Sequence, residues 1–394
     1  MKKPILFTIM ALFLVCLNLR ISIVSISPVL ESIRHDLQLS NGIISLLTSI
    51  PVICMGLFAF VATSISNRFG IEKTIGYSLI IIGVATALRV FAHSPFILLL
   101  TAFLNGIGIA IAGPLISGYI KKNFPSRIGM MIGVYTVAMG IGSSICAGLM
   151  VPLTNSLSHS WELSLASWSI FAVIGFAAWF PILKKANSIH IPTKFKQVTK
   201  MPLHNKKAWL FTLIFGLQSG IYYCLSTWLA PMVQSMGFTE AQSGTLITVF
   251  SIVQVIFSFV VPILADIYFT EKSWLLGCTF IVLVGLLILI FDITNPWIAT
   301  MILAVGLGGM FPLALSLPLH ATTTAQDASA WTSMMQGFGY ILSAFIPWIA
   351  GITRDLIPYD KQIFIMIFIL SLIMFVTILS WKTEKNVLSY QTSA

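Results

Sequence analysis

The stretch KKANSIHIPTKFKQVTKMPLHNKK, residues 184–207, is the longest hydrophilic segment of the chain, with seven lysines and with Pro192 and Pro202 set against a continuous helix. On both sides the sequence turns apolar and stays so. Backwards from Leu183, hydrophobic runs broken by Pro, Gly and charge fall near 162–183, 129–153, 96–120, 74–93, 42–64 and 5–27. Forwards from Ala208 they fall near 208–231, 243–265, 274–292, 296–319, 331–350 and 361–381. Each is close to the roughly 20 residues that a helix needs to cross about 30 Å of hydrocarbon. Their apolarity is continuous, without the alternation of a membrane barrel. The pattern predicts an all-α membrane protein of twelve transmembrane helices in two pseudo-symmetric six-helix halves. These are 1–183 and 208–394, the second ending in a short tail, joined by the basic linker 184–207.

Composition supports the same reading. Of 394 residues 57% are hydrophobic and 9% charged, against about 25% charged in soluble domains, so no water-soluble fold could hide the apolar surface. The net charge of +10 does not point to nucleic acid, because the basic residues lie in short segments between apolar runs. With the N-terminus inside, 17 of the 22 Lys and Arg fall on the cytoplasmic side, and only Arg34, Arg354 and Lys361 lie outside. The expectation is a multi-pass protein of the cytoplasmic (inner) membrane, lodged in the lipid bilayer with both termini cytoplasmic. Lys2 and Lys3 ahead of Ile5–Leu17 resemble a signal peptide, but no small-residue cleavage site follows, and the segment reads as a retained first helix.

An internal repeat runs at an offset of about 200 residues: Asn67, Phe69, Glu72, Lys73 and Thr74 are echoed by Asp266, Tyr268, Glu271, Lys272 and Ser273. Parallel duplication of a six-helix unit is a known transporter architecture. Gly106 and Gly108, echoed by Gly306 and Gly308, together with Gly133, Gly140 and Gly142, mimic nucleotide fingerprints only in spacing. No strand precedes them, and close helix packing is the expected role.

The polar residues inside the spans are few. Arg20 sits near mid-depth of predicted helix 1, where an unpaired guanidinium costs about 2.5–3.5 kcal/mol, so a partner or an aqueous cavity is expected. Asn18 and Arg20 are about 200° apart on the helix, so Asn18 should face a neighbouring helix if Arg20 faces the cavity. Arg89, nearer the outer end of helix 3, reads either as a pathway residue or as a snorkelling side chain. Helix 7 offers Gln218 and Tyr222 on one row and Tyr223 on the next. Helix 8 offers Ser251, Gln254 and Ser258, and helix 11 Gln336 and Tyr340. These groups either line a pathway or hold helices together. None of the twelve Asp and Glu sits centrally in a span, which disfavours a cation site or a carboxylate proton relay. The six histidines and five cysteines are too dispersed for a metal site or a nucleophilic dyad, so no cofactor, metal or catalytic residue is expected and the chain is not read as an enzyme.

Four stretches carry a resemblance: Ile120–Pro125 leading to Gly133–Tyr135 and Met139–Gly140; Tyr222 and Tyr223 with Trp228 and Leu229; Gly237–Gln242; and Gln336–Tyr340 with Pro347 and Asp355. With Arg20 and Arg89, they make the chain similar to the major facilitator superfamily, and within it to the cyanate transporter and 2-nitroimidazole transporter-like family. The superfamily's loop motif, Gly-x-x-x-Asp-Arg-x-Gly, appears as TSISNRFG at 63–70, so Asn67 replaces the gating acid of the first half, beside Arg68, while Asp266 keeps one in the second. The candidate substrate contacts are therefore Arg20, Arg89, Tyr135, Gln218, Tyr222, Tyr223, Gln254, Gln336 and Tyr340. The function expected is alternating-access transport of a small anionic or planar polar solute by a monomer, with a proton or counter-solute as coupling partner. A broad drug or metabolite exporter and a non-transporting membrane sensor are the alternatives.

Overall fold

In the computed structural model the described residues are 3–187, 201–268, 270–322, 325–357 and 361–381, and all regular structure among them is helical. The first half holds α1 (Lys3–Val24), α2 (Leu30–Asp36), α3 (Asn41–Phe69), α4 (Ile71–Ala87), α5 (Pro95–Asn123), α6 (Ile128–Ser156), α7 (Trp161–Ser167) and α8 (Ser169–Asn187). The second holds α9 (Lys206–Ser235), α10 (Glu240–Ile267), α11 (Glu271–Ile290), α12 (Pro296–Ala321), α13 (Ala325–Leu356) and α14 (Gln362–Ser380). They supply twelve segments long and apolar enough to cross a membrane, with α1 and α2 forming one and α7 and α8 another. Most of the predicted linker, residues 188–200, lies outside the described residues.

Several helices overrun the apolar runs from which they were predicted, and the overrun has a local cause. Ser40, Ser94, Ser160, Asn205, Thr239, Thr270 and Asn295 each cap a helix N-terminus by accepting a backbone N–H, and Thr239 with Gln242 forms a reciprocal capping box. Each of these helices therefore begins at the residue after its cap. The largest difference is at the first span. Pro28 turns the chain through a single 3-10 turn, Ser27–Val29, after which α2 carries the helix on to Asp36, so Arg34 is helical and not in a loop.

Large apolar side chains such as Phe96, Val173, Ile263 and Leu372 are exposed, as suits a bundle whose solvent is lipid. Across the halves α3 packs along α13, and α6 along α10. Glycine lets α6 and α10 touch: a Cβ on Gly140 would overlap the side chain of Val255. The repeat read from sequence has a structural counterpart. Glu72 pairs with Lys122 of α5 at 3.0 Å in the first half, and Glu271 pairs with His320 of α12 in the second.

At the end opposite the linker the halves are bonded together. Asp355 of α13 accepts from the backbone N–H of Asn41 (2.9 Å) and Gly42 (2.8 Å) and from Asn41 Nδ2 (2.8 Å), so a carboxylate of one half sits on the N-terminus of α3 in the other. Arg354 Nη1 lies 2.9 Å from Glu31 Oε1, and Ser32 donates to Glu240 at 2.7 Å. A Cβ on Gly351 would collide with the Asn41 carbonyl, which measures how closely this end is shut.

Candidate functional site

The site begins with the rotation of α1. Asn18 donates to its own turn at Leu14 O (2.8 Å) and to Phe171 O of α8 (3.1 Å), which turns that face of α1 into the first half. Two residues on, Arg20 points the other way, towards α9. Its Cζ lies 4.5 Å from the ring centre of Tyr222 and 5.5 Å from that of Tyr223. Those rings meet edge to face at 5.3 Å, and Tyr340 of α13 joins them 6.5 Å from Tyr223. Arg20 Nη1 is shielded from solvent and has no hydrogen-bond partner. The aromatic faces offer negative quadrupole, worth about 2 kcal/mol when desolvated, but no formal counter-charge.

Around this cluster lies a cavity of about 50 Å³ between the halves. A water needs about 10–15 Å³ of such space, so the cavity holds a few waters or a solute of a few heavy atoms. The first half lines it with Arg20 of α1 and Thr136, Met139, Gly140 and Ser143 of α6. The second adds Gln218, Ser219, Tyr222 and Tyr223 of α9, Ser251, Gln254, Val255 and Ser258 of α10, Gly308 and Phe311 of α12, and Tyr340. Charge thus comes from one half and neutral hydrogen-bonding groups from both. Gln218 is buried and accepts from Ser219 Oγ at 3.1 Å, while Ser258 donates to Val255 O at 2.7 Å. Beyond the cavity the halves are stitched by Tyr223 Oη to Met55 Sδ (3.6 Å) and by Thr227 Oγ1 to Thr48 Oγ1 (2.9 Å).

Of the residues singled out from sequence, Arg20, Gln218, Tyr222, Tyr223, Gln254 and Tyr340 are brought together here. Tyr135 stands beside the cavity, its hydroxyl 3.9 Å from where a Cβ on Gly113 would lie, and close enough to Arg20 to interact with it electrostatically. Gln336, one turn before Tyr340 on α13, is not among the lining residues. Arg89 is in neither of the places open to it. It lies in a 3-10 turn, Leu88–Phe91, packed by α5 and α7, is 1% exposed, and neither reaches the cavity nor snorkels to the surface. The cause is α7, a short helix packed against that turn, which a hydropathy reading merges into the sixth span. Asn67 and Asp266 end α3 and α10, with side chains outside the described residues. Arg68 is exposed, its Cζ 5.4 Å from the ring of Phe69. Sequence reasoning missed Thr136 and Ser143, although with Met139 and Gly140 they mark one small, polar helix face at i, i+3, i+4 and i+7. Among the described residues no group of three His, Cys, Asp or Glu could hold a metal ion.

Comparison with known proteins agrees with this architecture. The Major Facilitator Superfamily profile matches residues 8–344. The cyanate transport protein CynX of Escherichia coli (strain K12) is 28% identical over 351 residues, covering 88% of this chain and 90% of that protein. The 2-nitroimidazole transporter of the same organism is 25% identical over 347 residues, covering 88% of each. Among solved structures, the D-xylose-proton symporter superposes with a TM-score of 0.81 at 11% identity, over 97% of this chain and 99% of that one, a likeness of fold. The chain belongs to the Major Facilitator Superfamily, a family of membrane transporters and not of enzymes.

Proposed function

We propose that this protein carries a small, compact anion or planar polar solute across the cytoplasmic membrane by rocking residues 1–183 against 208–381 about the central cavity. The observation that carries the reading is Arg20, a guanidinium supported by two tyrosine rings and provided with no carboxylate among the described residues, in a space of about 50 Å³. A solute of a few atoms bearing negative charge supplies what Arg20 lacks. The relatives named for cyanate and for a 2-nitroimidazole act on small solutes of this kind, and their extent of alignment supports carrying that class over. The bonded end then faces outward. The concentration of Lys and Arg at the linker end supports cytoplasmic termini.

The test is flux of labelled cyanate, and in parallel of a labelled 2-nitroimidazole, in proteoliposomes bearing wild type or Arg20→Gln. Saturable cyanate flux should fall by roughly 100-fold in the variant, the usual cost of removing one partner of a buried charge pair. The variant's size-exclusion profile should match wild type. Unchanged flux in a folded variant would overturn Arg20 as the anchor.

A further inference from the structure

We infer that the protein is an exchanger: anion out for anion in, with return of the empty carrier strongly disfavoured. The inference rests on the anion reading proposed above and deepens it by naming the coupling.

Alternating access requires the cavity to pass through a state closed at both ends. The end bearing Asp355, Arg354 and Glu31 is already shut, so closure at the linker end completes the passage. An empty carrier making that passage encloses Arg20 with two ring faces and hydroxyl and amide groups, all of them neutral. No Asp, Glu or His is among the lining residues, so the cavity offers Arg20 no carboxylate as a compensating charge and no imidazole or carboxylate as a proton acceptor. Arginine keeps its own proton throughout. A bound monoanion changes the balance: the enclosed pair is then net neutral, and closure removes no uncompensated charge from water. Loaded reorientation is therefore fast in both directions and empty reorientation slow. The same inventory leaves a proton gradient no carboxylate or imidazole to act on within the cavity.

The experiment compares two initial rates in the same proteoliposomes: entry of labelled cyanate into vesicles preloaded with unlabelled cyanate, and entry into vesicles holding buffer alone. Protein-free liposomes define the leak. Exchange should exceed net entry by roughly 100-fold, the order set by the cost of an unpaired arginine at membrane depth. One-for-one exchange moves no net charge, so a potassium diffusion potential set with valinomycin should leave its rate unchanged. Net entry as fast as exchange would overturn the inference, and so would net entry driven by an imposed proton gradient. If cyanate does not move at all, or if only the nitroimidazole moves, the anion reading itself fails and the inference falls with it.

Discussion

Arg20 and Arg354 rest on the same helix. The first has its Cζ 4.5 Å from the ring of Tyr222, the second 5.3 Å from the ring of Trp228, and both rings belong to α9. Their surroundings then diverge. Arg354 has the Glu31 carboxylate of the opposite half at 2.9 Å, whereas Arg20 has no carboxylate within ion-pair reach among the described residues. A charge answered from across the seam helps hold the halves together. A charge left unanswered at mid-depth is the place where a solute can do the answering. Arg89 shows that an unpaired guanidinium alone is not enough. It too lacks partners at Nε and Nη1, but it is packed over by neighbouring helices of its own half and meets no cavity.

The sharpest way to break this contrast is to give Arg20 what Arg354 already has. Gln218 is buried, lines the same cavity and differs from a carboxylate by one functional group. Gln218→Glu should install an internal counter-ion, and cyanate flux in proteoliposomes should then fall by roughly 100-fold or more, because the solute must displace a tethered carboxylate. The thermal unfolding temperature should hold or rise. Flux at the wild-type level with a folded variant would show that Arg20 does not need its anion.

Whether a feature of this molecule is legible in its sequence follows from what that feature depends on. Twelve spans depend on hydrocarbon thickness, a property that local composition reports directly, so the spans are readable. The opposed directions of Asn18 and Arg20 are also readable, because they depend only on the helical repeat. The α2 extension is not, since a polar helix beyond Pro28 looks like a loop to a hydropathy reading. Nor is the fate of Arg89, which depends on α7 packing over it, a tertiary fact with no local signature. The seam at Asp355 is less legible still. It joins residues more than 300 positions apart, and its partners at Asn41 and Gly42 are mainly backbone groups, which sequence does not distinguish.

That seam offers the second test. Asp355→Asn keeps the size of the cap but removes its charge and one of its two acceptor oxygens, which together are worth at least about 1 kcal/mol, or roughly fivefold or more in the balance between shut and open. Ser45 is buried in α3 beneath Gly351, so Ser45→Cys places a near-isosteric reporter under the seam. All five native cysteines are buried and contribute little background. A membrane-impermeant maleimide added from outside should label Ser45→Cys at least about fivefold faster when Asp355→Asn is also present. An equal rate would mean that Arg354 and Glu31 hold the closed end without help from the cap.

The smallest expected effect concerns the rings themselves. Tyr222→Phe keeps the π-face against Arg20 and loses only a hydroxyl, whereas Tyr222→Leu keeps apolar bulk and loses the face. A desolvated cation–π contact is worth about 0.5–2 kcal/mol, and Tyr223 at 5.5 Å remains to take part of the load, so Leu should cost about 1 kcal/mol of stability and Phe nearly nothing. Thermal unfolding in detergent distinguishes the two substitutions if they are compared with each other as well as with wild type, because both alter packing against the neighbouring ring of Tyr223. The difference between them should shrink when saturating cyanate is present, since a bound anion takes over stabilisation of the guanidinium that the ring provides in its absence. If Leu and Phe are equally stable, the rings beside Arg20 only fill space, and the likeness between the two arginines ends at geometry.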